Sequence, residues 1–265
     1  MCWIRSIAAL LAVAALWLAG PASAQVRQEV IDLPTRPGVT VRTLLLTPAQ
    51  PRAVAVLLAG GHGGLRLYPN GSMAWGDGNF LVRSRQLFAD QGLVAAVIDA
   101  PSDRQRAPFL AGWRDSADHA ADLQAVITAL RARTQLPVWL VGTSRGTQSA
   151  AHAAVSLPPP AGPDGIVLTS TILVDDKTVA VPRMALGRIR VPVLVVHHEQ
   201  DGCEYCRFQD LPALTAGLAQ VPRQELMTWR GGHNTGPACA AMAYHGFNGL
   251  EAEVVGRIAA WMLAR

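Results

Sequence analysis

Ser144 stands in the run Gly142-Thr143-Ser144-Arg145-Gly146, between the apolar residues 138–141 and an alanine-rich stretch at 145–156. A Gly-x-Ser-x-Gly run placed between a strand and a helix is the arrangement in which a sharp turn holds a serine hydroxyl clear of the sheet. The helix start behind it favours developing negative charge. A serine alcohol is a weak nucleophile and needs a base. His233, in Arg230-Gly231-Gly232-His233-Asn234, is the expected base, because two glycines before it permit a turn that carries an imidazole toward the serine. A loop histidine with no chemical role is the plain alternative. The base needs a carboxylate to orient it. Asp201, in His198-Glu199-Gln200-Asp201-Gly202, is the expected one, ahead of Glu199 and of the pair Asp175 and Asp176. Ser144, Asp201 and His233 would attack an acyl carbon in the order nucleophile, acid, base.

Such groups act only if the chain delivers them to one place. Continuous apolar runs at 39–46, 53–58, 93–98, 138–141, 165–168 and 193–196, with a last run at 224–229, read as strands. Runs apolar on both faces suit a parallel sheet covered on both sides. Helical periodicity occupies 80–91, 115–133, 145–156 and 250–263, the second carrying Ala117, Ala120, Ala121, Leu123, Val126, Ile127 and Leu130 at helical spacing. Alternating strands and helices predict an α/β domain with a doubly wound, mostly parallel sheet. The chemistry of such a sheet collects beyond the carboxyl ends of its strands, which is where Ser144 and Asp201 fall. No repeat or linker divides the chain, so residues 25–265 are expected to form one domain.

The serine turn, the strand-then-Asp segment, the late Gly-His and the terminal helix resemble the α/β-hydrolase family, over roughly residues 39–264. Within it they are similar to compact esterase-like and dienelactone-hydrolase-like members. The resemblance implies an α/β-hydrolase fold with a short lid insertion, at about residues 172–190. It implies a carboxylesterase-like serine hydrolase that cleaves an ester or thioester through an acyl-enzyme, without metal or organic cofactor. It also implies an oxyanion hole, with one donor the backbone N–H of Arg145. The second would come from the loop Gly60-Gly61-His62-Gly63-Gly64, with His62 or Gly63 the favoured donor. Tyr68 and Trp75, in the long loop beyond, are the expected pocket wall, with packing over the sheet edge the alternative. An acyltransferase or peptidase would use the same triad. A non-catalytic periplasmic binding protein would keep the scaffold alone.

Composition narrows the field. Half of the residues are hydrophobic and 16% are charged, which excludes a disordered chain. A net charge of +4 without basic runs gives no track for a phosphate backbone, so a small ester-like molecule, not nucleic acid, is the expected partner. Residues 1–24 read as an export signal: Arg5, an apolar stretch at 7–18, and Ala22-Ser23-Ala24 as the cleavage site. The protein is therefore expected in the periplasm or medium, with no membrane anchor after cleavage. Cys203, Cys206 and Cys239 then allow one disulfide and one free thiol, with Cys239 joined to Cys203 or to Cys206. A zinc site needs more ligands than Cys203-x-x-Cys206 brings. His62 and at least one of His197 and His198 read as structural, while His119 and His152 have no assigned partner. The number of subunits is not written in the sequence.

Overall fold

A computed structural model of the chain describes residues 25–264. The expected export signal lies outside the described residues. Eight strands form one sheet: β1 (Arg27–Arg36), β2 (Val39–Thr47), β3 (Ala53–Leu58), β4 (Leu93–Ile98), β5 (Val138–Thr143), β6 (Gly165–Thr169), β7 (Val193–His198) and β8 (Gln224–Trp229). Their spatial order is β1-β2-β4-β3-β5-β6-β7-β8. β2 runs antiparallel to β1 and β4, and every other pair is parallel. The expected doubly wound, mostly parallel sheet is therefore present.

The apolar runs become strands because both faces are covered. Val54, Val56 and Leu58 face one core with Leu123, Ile127 and Leu130, whereas Ala53, Ala55 and Leu57 face another with Val254, Val255 and Ile258. Burying a side chain of this size is worth about 1.5–3 kcal/mol each, which holds the register of the central strands. The first core is roofed by α3 (Ala117–Thr134) and α4 (Gly146–Ser156), and the second by α6 (Glu251–Leu263). Ser116 caps α3 by accepting the His119 N–H. Before it, the predicted 80–91 helix is broken at Ser84 into α1 (Phe80–Arg83) and α2 (Arg85–Asp90). Serine is a weak helix former, and here its backbone leaves helical geometry. α5 (Leu211–Gly217), which opens on Pro212, precedes β8.

The segment between β6 and β7 is short, as expected, and holds two single 3-10 turns. Its apolar residues Val181, Leu186 and Ile189 point into the core under α4. No described helix is long and apolar enough to cross a membrane.

Candidate active site

β5 ends at Thr143, and Ser144 follows in the left-handed region at φ +52°. A non-glycine residue pays conformational energy to sit there, and such strain persists only where surrounding structure enforces it. The enforcement comes from both sides. The Ser144 N–H donates to the Thr169 carbonyl at 3.0 Å, and the Ser144 carbonyl accepts from the Thr147 N–H at 2.9 Å and hydroxyl at 2.6 Å. The flanking glycines make the crossing of strand and helix fit. A Cβ on Gly142 would lie 2.4 Å from the Gly146 carbonyl oxygen, and one on Gly146 2.1 Å from that of Leu58. The sharp turn read from the sequence is thus built.

Asp201 lies beyond the end of β7, buried. Its Oδ1 accepts the Cys203 N–H at 2.9 Å, and its Oδ2 accepts from His245 Nδ1 at 2.9 Å. The histidine that meets Asp201 is His245 and not the expected His233. His233 is exposed and far along the loop: its N–H donates to the Asn248 carbonyl, and its ring rests against Gly249 with no bond to Asp201. The physical reason is where the chain returns to the sheet. The stretch after β8 runs through solvent, rejoins the site at Cys239, Ala240 and Ala241, and buries its histidine at the 3-10 turn Tyr244–Gly246, just before α6. There the His245 carbonyl accepts from the Ser170 hydroxyl at 2.7 Å, and Tyr244 stacks on His198 at 4.4 Å between ring centroids. The sequence did carry a signal, His245-Gly246 ahead of the last helix. A Cβ on Gly246 would fall 1.8 Å from the Ala241 carbonyl oxygen, so only glycine lets the turn close.

His245 and Ser144 line one cavity of about 340 Å³. Its walls are Gly60, Gly61, Trp75, Gly76, Gly78, Asn79, Phe80, Thr143, Cys239, Ala240, Ala241 and Gly246, with no Asp, Glu, Lys or Arg among them. Trp75 is where the sequence placed it. Tyr68 is not: it is half exposed in a turn closed by Ser72 and Gly71, away from the cavity. No residue of the expected lid at 172–190 lines the cavity either; Val181, Leu186 and Ile189 anchor that segment in the core, and Val174 and Val179 face solvent.

The glycine-rich loop is also shifted by a residue or two from expectation. Gly60 and Gly61 line the cavity, and His62 and Gly63 do not. A Cβ on Gly60 would lie 3.0 Å from the Ser144 Cβ, so this backbone passes directly over the serine. The His62 ring turns the other way. It stacks between Trp75 and Phe109, at 4.1 and 4.5 Å between centroids, and its Nδ1 accepts the Gly64 N–H at 3.1 Å. Burial, helped by Arg114 and Arg66, holds its pKa below the usual histidine value, which suits a neutral acceptor. The N–H groups of Gly61 and Arg145 have no acceptor among the described residues. The Arg145 side chain leaves the cavity, held by Asp175 at 2.6 Å and lying over Tyr205.

Two cross-links fix the walls. Cys203 and Cys239 form the disulfide, which ties the acid turn to the cavity wall. Cys206 is the buried free thiol, its pKa pushed up by burial and by Asp201. Arg83 donates to the Gly78 carbonyl at 2.6 Å and to the Gly246 carbonyl at 2.5 Å, joining opposite walls. The buried ring of His197 donates Nε2–H to the Cys206 carbonyl at 2.6 Å and so props the acid turn. Cys203, Cys206 and His245 are the only metal-ligand grouping among the described residues. They do not fit a metal, since the Cys203 sulfur is in the disulfide and His245 Nδ1 is bonded to Asp201.

Sheet order, serine turn and acid after β7 define the α/β-hydrolase fold. Solved structures agree. A dienelactone hydrolase from Anabaena variabilis superposes with a TM-score of 0.65 at 17% identity, over 90% of this chain and 98% of the other. A Pyrococcus furiosus esterase gives 0.62 at 12% identity, over 92% and 94%. A Xanthomonas campestris serine hydrolase described as having no lid gives 0.55 at 15%, over 87% and 94%. No protein-family model matches the chain, and no curated protein matches it.

Proposed function

We propose that this chain is an exported serine hydrolase, periplasmic or secreted, that cleaves small, uncharged carboxylic esters or thioesters. The observation that carries the reading is Asp201 holding His245 Nδ1 at the rim of the cavity that Ser144 enters from a strained turn. Among the described residues His245 Nε2 has no hydrogen-bond partner. It takes the Ser144 proton as Oγ attacks the acyl carbon. The Gly61 and Arg145 amides receive the oxyanion. His245 then gives its proton to the leaving oxygen or sulfur, and the acyl group rests on Ser144. Water, deprotonated by His245, releases the acid by the reverse sequence. Asp201 keeps Nδ1 protonated, so that Nε2 presents its lone pair. Fold relatives named as a dienelactone hydrolase and an esterase support an acyl substrate. A cavity of about 340 Å³ is near the lower end of ligand pockets, and its uncharged lining favours a compact neutral ester. Export rests on residues 1–24 and on the disulfide, a bond that persists in oxidising compartments.

The test is labelling by a fluorophosphonate. The reading expects one equivalent bound to the wild-type protein at Ser144 and none to Ser144→Ala. A folded, oxidised wild-type protein that takes up no probe would overturn it.

A further inference from the structure

Behind the glycine-rich turn lies a charge that the mechanism above does not use. Arg114, in the irregular segment before α3, is 5% exposed, and no carboxylate lies within ion-pair distance among the described residues. Its Nη2 donates to the Ala59 carbonyl at 2.9 Å and to the Gly61 carbonyl at 3.2 Å. Its Nη1 donates to the Ser149 hydroxyl at 2.9 Å, and that hydroxyl lies 2.8 Å from His119 Nε2. We propose that Arg114 is a positioning residue for the oxyanion site, holding the turn that carries the Gly61 amide and placing an uncancelled positive charge behind it. This inference rests on the hydrolase reading of the Ser144 cavity.

The geometry is specific. Ala59 and Gly61 carbonyls sit on either side of the Gly60–Gly61 peptide, so one guanidinium gripping both fixes the plane of the donor between them. Both bonds come from Nη2 while Nη1 is tied to Ser149, so the planar guanidinium fixes the direction of the two Nη2–H bonds, which a freely rotating ammonium would not. Glycine at 63 makes the room: a Cβ there would lie 2.5 Å from Arg114 Nη2. The surroundings do nothing to cancel the charge. Its neighbours Arg145 and His62 are cationic and neutral, and burial holds the His119 pKa down to about 3, so that ring is neutral too. Burial, then Arg145, draws the Arg114 pKa down to about 9, which leaves it charged at neutral pH. An unpaired buried cation is costly, and a neutral side chain would serve as a mere packing post. In a water-poor site such a charge acts most on a negative charge that develops nearby, which here is the tetrahedral oxyanion.

The experiment compares Arg114→Lys, Arg114→Gln and Arg114→Met with wild type in the full chain. The readouts are kcat and KM on p-nitrophenyl acetate, affinity for an alkyl boronic acid that forms an anionic tetrahedral adduct, and the acyl-enzyme carbonyl stretch by infrared. Loss of a direct donor costs about 100–1,000-fold in kcat, and loss of its support is expected to cost about 10–100-fold. KM should stay within about 3-fold, boronate affinity should fall with kcat, and the carbonyl stretch should move to higher wavenumber. Lys should recover part of each. Ser149→Ala keeps the charge but frees Nη1, and should shift the stretch in the same direction with a kcat loss of about 2–5-fold. Folded Arg114 variants with wild-type kcat, boronate affinity and carbonyl stretch would overturn the proposal. Should they not fold, an unchanged stretch in Ser149→Ala overturns it. Wild type that labels with fluorophosphonate while Arg114 variants are unaffected sinks this inference alone. Wild type that does not label sinks the hydrolase reading and this with it.

Discussion

The identity of the base is the sharpest claim, because two histidines compete for it and only one touches the acid. Removing His245 as His245→Ala takes away the group proposed to accept the serine proton. General-base catalysis is worth about 100–10,000-fold, or about 3–5.5 kcal/mol of barrier. The loss also strips Asp201 of the N–H at 2.9 Å, leaving a buried carboxylate with the Cys203 N–H as its remaining partner at 2.9 Å. That missing bond costs about 1–3 kcal/mol of stability. Activity must therefore be read at a temperature well below the variant's own melting point. His233→Ala removes an exposed ring whose residue is held by its backbone, and a change of that kind stays within about 0.5 kcal/mol, or about 2-fold. Initial rates of p-nitrophenyl acetate hydrolysis on both variants, with melting curves beside them, separate the outcomes. His245→Ala should lose at least about 100-fold and His233→Ala less than about 3-fold. The reverse ranking in folded proteins would refute the placement of the triad.

Three further outcomes follow from local geometry. Non-reducing peptide mapping should recover Cys203 joined to Cys239 and Cys206 as the free thiol; with the bridged pair 36 positions apart, Cys239→Ser should cost about 4 kcal/mol in the chain-entropy view, read as a lower melting temperature. Gly60→Ala puts a methyl 3.0 Å from the Ser144 Cβ and 3.1 Å from the Thr143 carbonyl oxygen, so kcat should fall at least about 10-fold with a small change in melting temperature. Despite burial, which raises it, the Asp175 pKa is brought down to about 2 by the Thr178 hydroxyl, the Lys177 N–H and Arg145. A folded-state pKa below the unfolded one contributes stability that is complete above about pH 4 and is lost as pH falls toward 2, at most about 2 kcal/mol here. Melting temperature against pH should show this acid limb in wild type and a shallower one in Asp175→Asn, where the depressed Asp32 and Glu199 carboxylates remain.

The sheet was legible because its central strands are apolar on both faces, and that pattern has one cheap solution. β1 was not: Arg27–Arg36 is an edge strand whose polar residues alternate around Val30, Ile31 and Leu33 and which tolerates Pro34. α5 was too short to leave a period. At the site, Ser144 and Asp201 could be read because each sits at the end of a recognisable strand, where position is inherited from the sheet. The base could not. It hangs on a segment without regular structure, and a Gly-Gly-His triplet and a His-Gly pair look equally mobile in one dimension. What decides between them is long-range: Ser170 on His245, the stack of His198 and Tyr244, and the fit of Gly246 against Ala241. The glycine-rich loop misled for a related reason. Its glycines are spaced by what packs against them, since added Cβ atoms would strike Trp75 at 61, Arg114 at 63 and Phe109 at 64. Only the first two glycines face the serine.

The base segment also explains why the disulfide lies where it does. Between β8 and α6 the chain has only the 3-10 turn Tyr244–Gly246, and residues 231–239 are exposed throughout. Left to backbone bonds, the segment is closed by His233 to Asn248 and by Thr235 to Met242, both within the loop itself. Such bonds shape a loop and do not moor it to the sheet. Its moorings include Cys203–Cys239 from the acid turn, Arg83 on the Gly246 carbonyl, Ser170 on the His245 carbonyl and His198, which donates to the Gly231 carbonyl and stacks on Tyr244. The covalent one starts two residues from Asp201, so it constrains acid and base relative to each other rather than either to the core. Reduction should therefore lower kcat before it unfolds the protein, as His245 drifts from Asp201 while the two packed cores remain. Reduced protein that keeps full kcat until its melting transition would show that the noncovalent moorings suffice.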